Sequence, residues 1–349
     1  MFPFSFLYGL AIILRNLAYD CEILKSSTGH IPVISVGNLT VGGSGKSPTT
    51  AYLASMLKKH YKLAILSRGY GRETKGFLVV HPDASSKEVG DEPLQFKHQF
   101  PDITVAVCEN RLIGIQQLER DHELILLDDA YQHRAIKPGL SILLFDFNKL
   151  FQAQWLLPTG DLREPLWGRK RADIVLVTKT PSHLTQEDRM RSISKIDPYP
   201  HQKVFFSYLE YGSLQHMKNA SCVRSLDSIH QSTQILLLTG IANADPLLQK
   251  LKYYSTNIDH HQYPDHHIYS KKNISNLVSA YHKLAAPDKL IITTEKDAQR
   301  LKYTALEILL DGLPLYYLPV QTMIHRLDKQ KFDGLIETFA MKASITNSA

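Results

Sequence analysis

A lysine and a serine that open a helix behind a run of glycines are equipped to hold phosphate. Residues 33–50, VISVGNLTVGGSGKSPTT, run from a β-branched apolar segment through a glycine-rich loop into Gly45-Lys46-Ser47. That is the strand–loop–helix context the pattern G-x-x-x-x-G-K-[ST] requires. Backbone N–H groups around Gly42, Gly43, Ser44 and Gly45 can line a concavity for phosphate oxygens. The helix N-terminus adds partial positive charge. Lys46 would reach the terminal phosphates of a nucleotide, and the Ser47 hydroxyl would hold Mg²⁺. Thr40 stands where the pattern has its first glycine, which alters one turn dihedral but removes none of these groups.

Further along, an apolar run at 123–127 ends in Asp128-Asp129. A carboxylate at the end of a neighbouring strand is where a second Mg²⁺ contact belongs. Adjacent residues of an extended strand point opposite ways, so one acid faces the metal and the sequence leaves open which. Asp91-Glu92 follows a glycine and offers an acceptor for the proton of an attacking hydroxyl. Arg68 and Arg72 flank two glycines just after a strand, where they could grip phosphate, and Arg111 is a further candidate. The loop at 156–166 could carry Arg163 or Glu164 into a cleft. His260, His261, His266 and His267 crowd one loop, but no cysteine lies near and adjacent histidines seldom chelate one ion, so zinc is not expected. A histidine beside Asp265 suits proton transfer or the orientation of a carboxylate. Lys296, just after a strand, would bind an anion or cap the sheet.

These groups need a scaffold. The 349 residues suffice for two domains, with 44% apolar and 21% charged residues. The net charge of +6 leaves nucleic acid, anionic membrane or a phosphorylated ligand open as partners. Cys21, Cys108 and Cys222 are too few and too scattered for a disulfide framework, and fit a reducing compartment. Apolar runs at 32–36, 62–66, 123–127, 141–145 and 174–177 read as buried strands, with helices at 48–60 and 109–120 between them. Such alternation implies a covered parallel sheet. A polar connection at 180–232 holds an expected two-stranded piece, 204–209 with 213–217. A second set follows, with strands at 235–238, 290–293 and 315–318 and helices at 246–254 and 271–284. The tail, 341–349, reads as frayed. Residues 1–14 carry no charge. The run is too short to span a bilayer and its first basic residue, Arg15, follows rather than precedes it, unlike a signal peptide. Phe4, Leu7, Tyr8, Ala11, Ile12, Leu14 and Arg15 could form an interfacial helix; packing on the protein's own core is the alternative.

Taken in order, VGNLTVGGSGKSP, LSRGYGR, GDEP, DDAYQH, LPTGDLREPL, YPDHH and TTEKDAQRL resemble the tetraacyldisaccharide 4′-kinase (lipid A 4′-kinase) family, from the N-terminus to about residue 302. The resemblance implies an α/β fold: a P-loop NTPase-like parallel sheet core in α/β/α layers, a second, smaller α/β domain, and an N-terminal apolar helix. The boundaries expected are 1–30 for the membrane-associated helix region, 31–205 for the kinase domain, 206–232 for a linker and 233–345 for the C-terminal domain. It implies transfer of the γ-phosphate of ATP, with Mg²⁺, to the 4′-hydroxyl of a lipid A disaccharide 1-phosphate, giving lipid IVA. Asp91 matches the family's catalytic base, His266 its partner, and Lys46 and Ser47 the phosphate and Mg²⁺ contacts. Arg111, Gln132 and His133 match nucleotide-side positions, and Glu92, Asp128, Asp129 and Glu164 metal-side positions. The family's loop also tends to carry Ser or Thr at the position of Thr40. Ala130-Tyr131 departs from the family's usual Gly-Phe, and Asp161 from its Pro. The expected setting is a monomer on the cytoplasmic face of a bacterial inner membrane, with no nucleic-acid partner. A P-loop GTPase or metallochaperone is the rival, but its N-K-x-D motif is replaced by Thr178-Lys179-Thr180-Pro181.

Overall fold

The computed structural model describes residues 2–219, 221–302 and 304–346. In chain order its strands are β1 (Val33–Asn38), β2 (Leu63–Ser67), β3 (Leu78–Val79), β4 (Thr104–Val107), β5 (Leu124–Asp128), β6 (Leu140–Asp146), β7 (Ile174–Thr178) and β8 (Lys203–Tyr211). Then come β9 (Leu214–His216), β10 (Val223–Arg224), β11 (Gln234–Thr239), β12 (Ile258–Gln262), β13 (Lys289–Thr294), β14 (Leu315–Leu318) and β15 (Val320–Ile324). Among the described residues they form a sheet ordered β15-β8-β7-β6-β1-β5-β2-β4-β3 and another ordered β10-β9-β14-β13-β11-β12.

In the first sheet every pairing from β8 through β4 is parallel, with β3 and β15 antiparallel at the edges. Every residue of β1, β2, β5 and β7 is buried. This is why those segments read as unbroken apolar runs: helices cover both faces of the sheet. Alternate side chains feed two cores. Ile34, Ile65 and Leu126 point to one, while Val33, Leu66 and Leu127 point to the other. The central strand β1 leads directly into the glycine-rich loop and the helix Lys46–Leu57. The ends of β5 and then β2 lie on one side of β1 along the same rim, and the end of β6 on the other.

The pairing expected between 204–209 and 213–217 does not occur. Both are strands, but β8 pairs with β7 and β15, and β9 pairs with β14 and β10. Gly212 between them does not reverse the chain; its N–H donates to Pro319 O at 3.0 Å, and the chain runs on beside the returning β14–β15 segment. A two-stranded ribbon thus joins the sheets. It also changes the division of the chain: β15 and the helix Arg326–Thr346 belong with the first sheet, through Phe332 and Ile336 in its core, rather than with the expected 233–345 unit. That helix carries 341–346 in regular structure where fraying was expected; 347–349 lie outside the described residues.

The N-terminal helix Phe2–Asp20 docks on the first sheet's loops. Tyr8 donates to Arg163 O at 2.8 Å, Asn16 Nδ2 to Glu164 at 3.0 Å, and Asp20 pairs with Arg134 and Lys170 at 2.7 and 2.8 Å. Tyr8 therefore faces the protein, not the exposed side to which the sequence assigned it. Phe4, Phe6, Leu7, Leu10, Leu14 and Leu17 remain exposed along the opposite side.

Candidate active site

The glycine-rich loop takes its shape from a few local constraints. Gly42 and Gly45 sit at φ 95° and 85°, a region that disfavours residues with a Cβ. Thr40 bridges Leu162 as an extended residue, while Val41 N donates to Asp161 O and Arg163 N to Leu39 O, both at 2.8 Å. The missing glycine is therefore replaced where the backbone does not need one. Asp161 also pairs with Lys149 at 2.5 Å. At the far side the Thr178 hydroxyl donates to Ser44 O at 2.8 Å.

Lys46 Nζ lies 3.3 Å from Asn38 Oδ1 and 3.7 Å from Asp129. The Ser47 hydroxyl donates to Glu92 Oε1 at 3.0 Å. Asp128 is fully buried and accepts from Thr50 and Ser67 at 3.2 and 3.4 Å. Burial, with Glu92 and Asp129 nearby, pushes its carboxyl above the ordinary range. Asp129 turns away at φ 46° and meets Arg163 at 3.2 Å. The two acids have different partners, and the left-handed turn at Asp129, just past the end of β5, sets its direction rather than strand alternation. Asp129 takes the left-handed conformation, so Ala130 is spared it. Gly37 allows a close approach: a Cβ there would lie 2.7 Å from that of Tyr131.

Asp91 opens the helix Asp91–Gln99 after Gly90, at φ 91°. A Cβ on Gly90 would lie 3.0 Å from Tyr70 O, so the RGYG loop and the GDEP turn pack face to face. Asp91 Oδ2 lies 3.2 Å from His266 Nδ1, across 175 residues of chain. Burial alone would raise this carboxyl, but the His266 hydrogen bond and the Arg300 guanidinium outweigh it and hold it below the usual range. His266 is held at φ 56° by its N–H to Gly240 O at 3.1 Å, with Tyr70 against its ring.

The sequence missed Arg300, whose Nε donates to Asp91 Oδ2 at 2.7 Å, and did not foresee that Lys296 pairs with Glu92. Both lie on the helix Glu295–Leu301 of the second sheet, one turn apart. That i, i+4 spacing opposite the adjacent acids Asp91-Glu92 was the available signal. Burial alone would raise Glu92; Lys296 overcomes this and holds it well below the ordinary range.

Three placements differ from the sequence expectation. Glu164 is fully buried and accepts from Arg171, Asn16 and Gln132 at 2.7, 3.0 and 3.3 Å, so it ties the N-terminal helix, through Asn16, to the loops of the first sheet. Gln132 reaches Asn38 O under the loop. Arg72 binds Gly76 O and Glu109, which fixes its own turn. Among the described residues, Ser44 Oγ, Arg111 Nε and His133 Nε2 are buried polar atoms without a hydrogen-bond partner. Native proteins seldom leave such atoms unpaired; all three come from segments around the loop, where a polyanion would satisfy them. Burial, with Arg111, Arg68 and Arg15 nearby, lowers His133 to about 4. Of the clustered histidines, His260 meets Thr239 and His267 meets Asn273, and no group of metal-ligating His, Cys, Asp or Glu forms among the described residues.

Comparison with known proteins agrees with this geometry. A family model described as "LpxK: Tetraacyldisaccharide-1-P 4'-kinase" matches residues 1–340. The tetraacyldisaccharide 4′-kinase of Phocaeicola vulgatus is 42% identical over 353 residues, covering 99% of this chain and 95% of that protein. Its counterpart from Flavobacterium psychrophilum is 40% identical over 352 residues, with 99% and 98% covered. A crystal structure of the "apo" form of LpxK from Aquifex aeolicus in complex with ATP superposes with a TM-score of 0.73 at 29% identity, covering 97% of this chain and 98% of that one.

Proposed function

The chain belongs to the tetraacyldisaccharide-1-P 4′-kinase family, and from that membership we propose how its residues carry out the transfer. The enzyme is an ATP-dependent phosphotransferase acting on the 4′-hydroxyl of a tetraacyldisaccharide 1-phosphate, a lipid A precursor. One juxtaposition supports the residue roles best. Ser47 of the phosphate loop touches Glu92, and the next residue back, Asp91, meets His266 from the other sheet.

The residues fit Mg²⁺. A hydroxyl and a carboxylate 3.0 Å apart, with Asp128 behind them, form a hard oxygen set. Mg²⁺ keeps several waters and takes only one or two carboxylates beside substrate phosphates, so no larger cage is needed. When bound, it would neutralise charge on the β- and γ-phosphates. Lys46 would turn from Asn38 and Asp129 to those phosphates. Arg111, His133 and Ser44 would supply their unpartnered polar atoms to the same anion. Asp91, ionised at neutral pH, accepts the proton of the 4′-hydroxyl as the hydroxyl oxygen bonds to the γ-phosphorus, and the bond from that phosphorus to the β–γ bridging oxygen breaks to release ADP. His266 orients the carboxylate. Because the two sheets supply one residue each, the pair forms only when they are apposed, which limits transfer to water.

No described helix is long and apolar enough to cross a membrane. The exposed apolar side of Phe2–Asp20, joined to a net positive charge, supports an enzyme lying on the cytoplasmic face of the inner membrane, where the acyl chains of its substrate reside. The GTPase reading lacks support: Lys179 is paired with Asp146 at 2.8 Å, and every protein matched above as a relative is a 4′-kinase.

Nucleotide binding tests the loop assignment. Lys46→Met should weaken ATP binding by about 10-fold or more, while Asp91→Asn leaves it within about threefold. A preference for GTP over ATP in competition would overturn the reading.

A further inference from the structure

Asp91 is gripped by a residue that the mechanism above leaves idle. Arg300 Nε donates to Asp91 Oδ2 at 2.7 Å, and its Nη2 lies 3.3 Å from His266 Nδ1, so one guanidinium touches both members of the pair. Its remaining donor is committed elsewhere: Nη1 reaches Gly240 O at 2.6 Å and Asp297 Oδ1 at 2.7 Å. Asp297 is itself fully buried and accepts from Gly240 N, Thr294 and Tyr269 at 3.0, 2.7 and 3.0 Å. Gly240 O also receives the N–H of His266 at 3.1 Å. A Cβ on Gly240 would lie 3.0–3.3 Å from Tyr269, Asp297 and Arg300, so the glycine lets this bracket close. Every part of the bracket comes from the second sheet and its loops, while the carboxylate it holds comes from the first.

We propose that Arg300 is a positioning residue for Asp91, fixing which carboxylate oxygen meets the acceptor hydroxyl. Arg300 and His266 both occupy Oδ2. Among the described residues none donates to Oδ1, which is left for the substrate. The planar guanidinium, fixed at Nη1 and lying against His266 through Nη2, brings a rigidly held second group to Oδ2 and so fixes that oxygen more firmly than a single imidazole contact would. A cation so close weakens Asp91 as a base, yet that loss is small in this chemistry. Phosphoryl transfer passes through a loose transition state, so a modest drop in the basicity of the acceptor costs less than a misaimed one. A misplacement of about 1 Å costs on the order of 100-fold in rate.

The inference rests on Asp91 as the acceptor, and the test separates the two ideas. Turnover, KM for both substrates and ATP affinity would be measured for Arg300→Met, Arg300→Lys, Asp91→Asn and the Asp91→Asn/Arg300→Met double variant, with thermal midpoints alongside. Arg300→Met is expected to lose about 100-fold in kcat, with ATP affinity and both KM values within about threefold. Arg300→Lys, which keeps the charge without the planar guanidinium, should stay at least about tenfold below wild type. In the Asp91→Asn background the second change should cost less than about threefold, because there is no longer a carboxylate to aim. Wild-type kcat in Arg300→Met, or an equal loss in both backgrounds, would overturn the positioning role while leaving the acceptor assignment in place. Wild-type turnover in Asp91→Asn would overturn both.

Discussion

Replacing Leu7, Leu10 and Leu14 together by glutamine should detach the enzyme from lipid bilayers without unfolding it. These side chains expose 61, 44 and 57% of their surface, so about half of each is available to a membrane. Full burial of a leucine is worth ~2 kcal/mol. Each therefore contributes about 1 kcal/mol, and the three about 3 kcal/mol, or on the order of 100-fold in partition. Glutamine retains helix propensity, and Ser5, Tyr8, Asn16 and Asp20 hold the opposite side of the helix to the protein. The assay is co-sedimentation with vesicles of phosphatidylethanolamine and phosphatidylglycerol, compared with turnover on detergent-dispersed substrate. Partition should fall by about two orders of magnitude, while turnover in detergent stays near wild type. A partition within about threefold of wild type would refute the interfacial role of this face.

Two further outcomes follow from the site. Glu164→Gln leaves the half-buried Arg171 without its charge partner and should cost about 3 kcal/mol, lowering the thermal midpoint on the order of 5 °C with the Mg²⁺ requirement unchanged; a changed Mg²⁺ requirement at constant stability would return Glu164 to the metal. His133 is depressed from 6.5 to about 4, so the unfolded chain binds its proton first: stability is full above pH 6.5, falls as pH drops from there to 4, and is flat below. His133→Gln should remove that slope in denaturant titrations across the same window, and an unaltered slope would contradict the assignment.

What the sequence revealed and what it hid follow one physical division. The phosphate loop was legible because strand, glycines, lysine and serine are contiguous and their chemistry is local. The parallel strands were legible because burial on both faces leaves unbroken apolar runs. The hairpin assigned to 204–217 failed because Gly212 looks like a turn, whereas its backbone partner, Pro319, is more than a hundred residues away. Residue type alone points Arg72 and Glu164 toward phosphate and metal, but does not reveal that they pair with Glu109 and Arg171. Asp91 and His266 emerged from family resemblance, since nothing local links them. Lys296 and Arg300 complete the same cluster from a distant helix. Charge complementarity between remote segments leaves little trace in a single sequence beyond the i, i+4 spacing of the two cations.

The reaction turns on Asp91 accepting the 4′-hydroxyl proton beside the phosphate loop. Its most direct test is single-turnover transfer of labelled γ-phosphate from ATP to tetraacyldisaccharide 1-phosphate in mixed micelles, comparing wild type with Asp91→Asn at saturating ATP. The expected result is transfer to the 4′ position by the wild type and a rate at least about 100-fold lower in the variant, with ATP binding intact. Transfer at the wild-type rate by Asp91→Asn would contradict it.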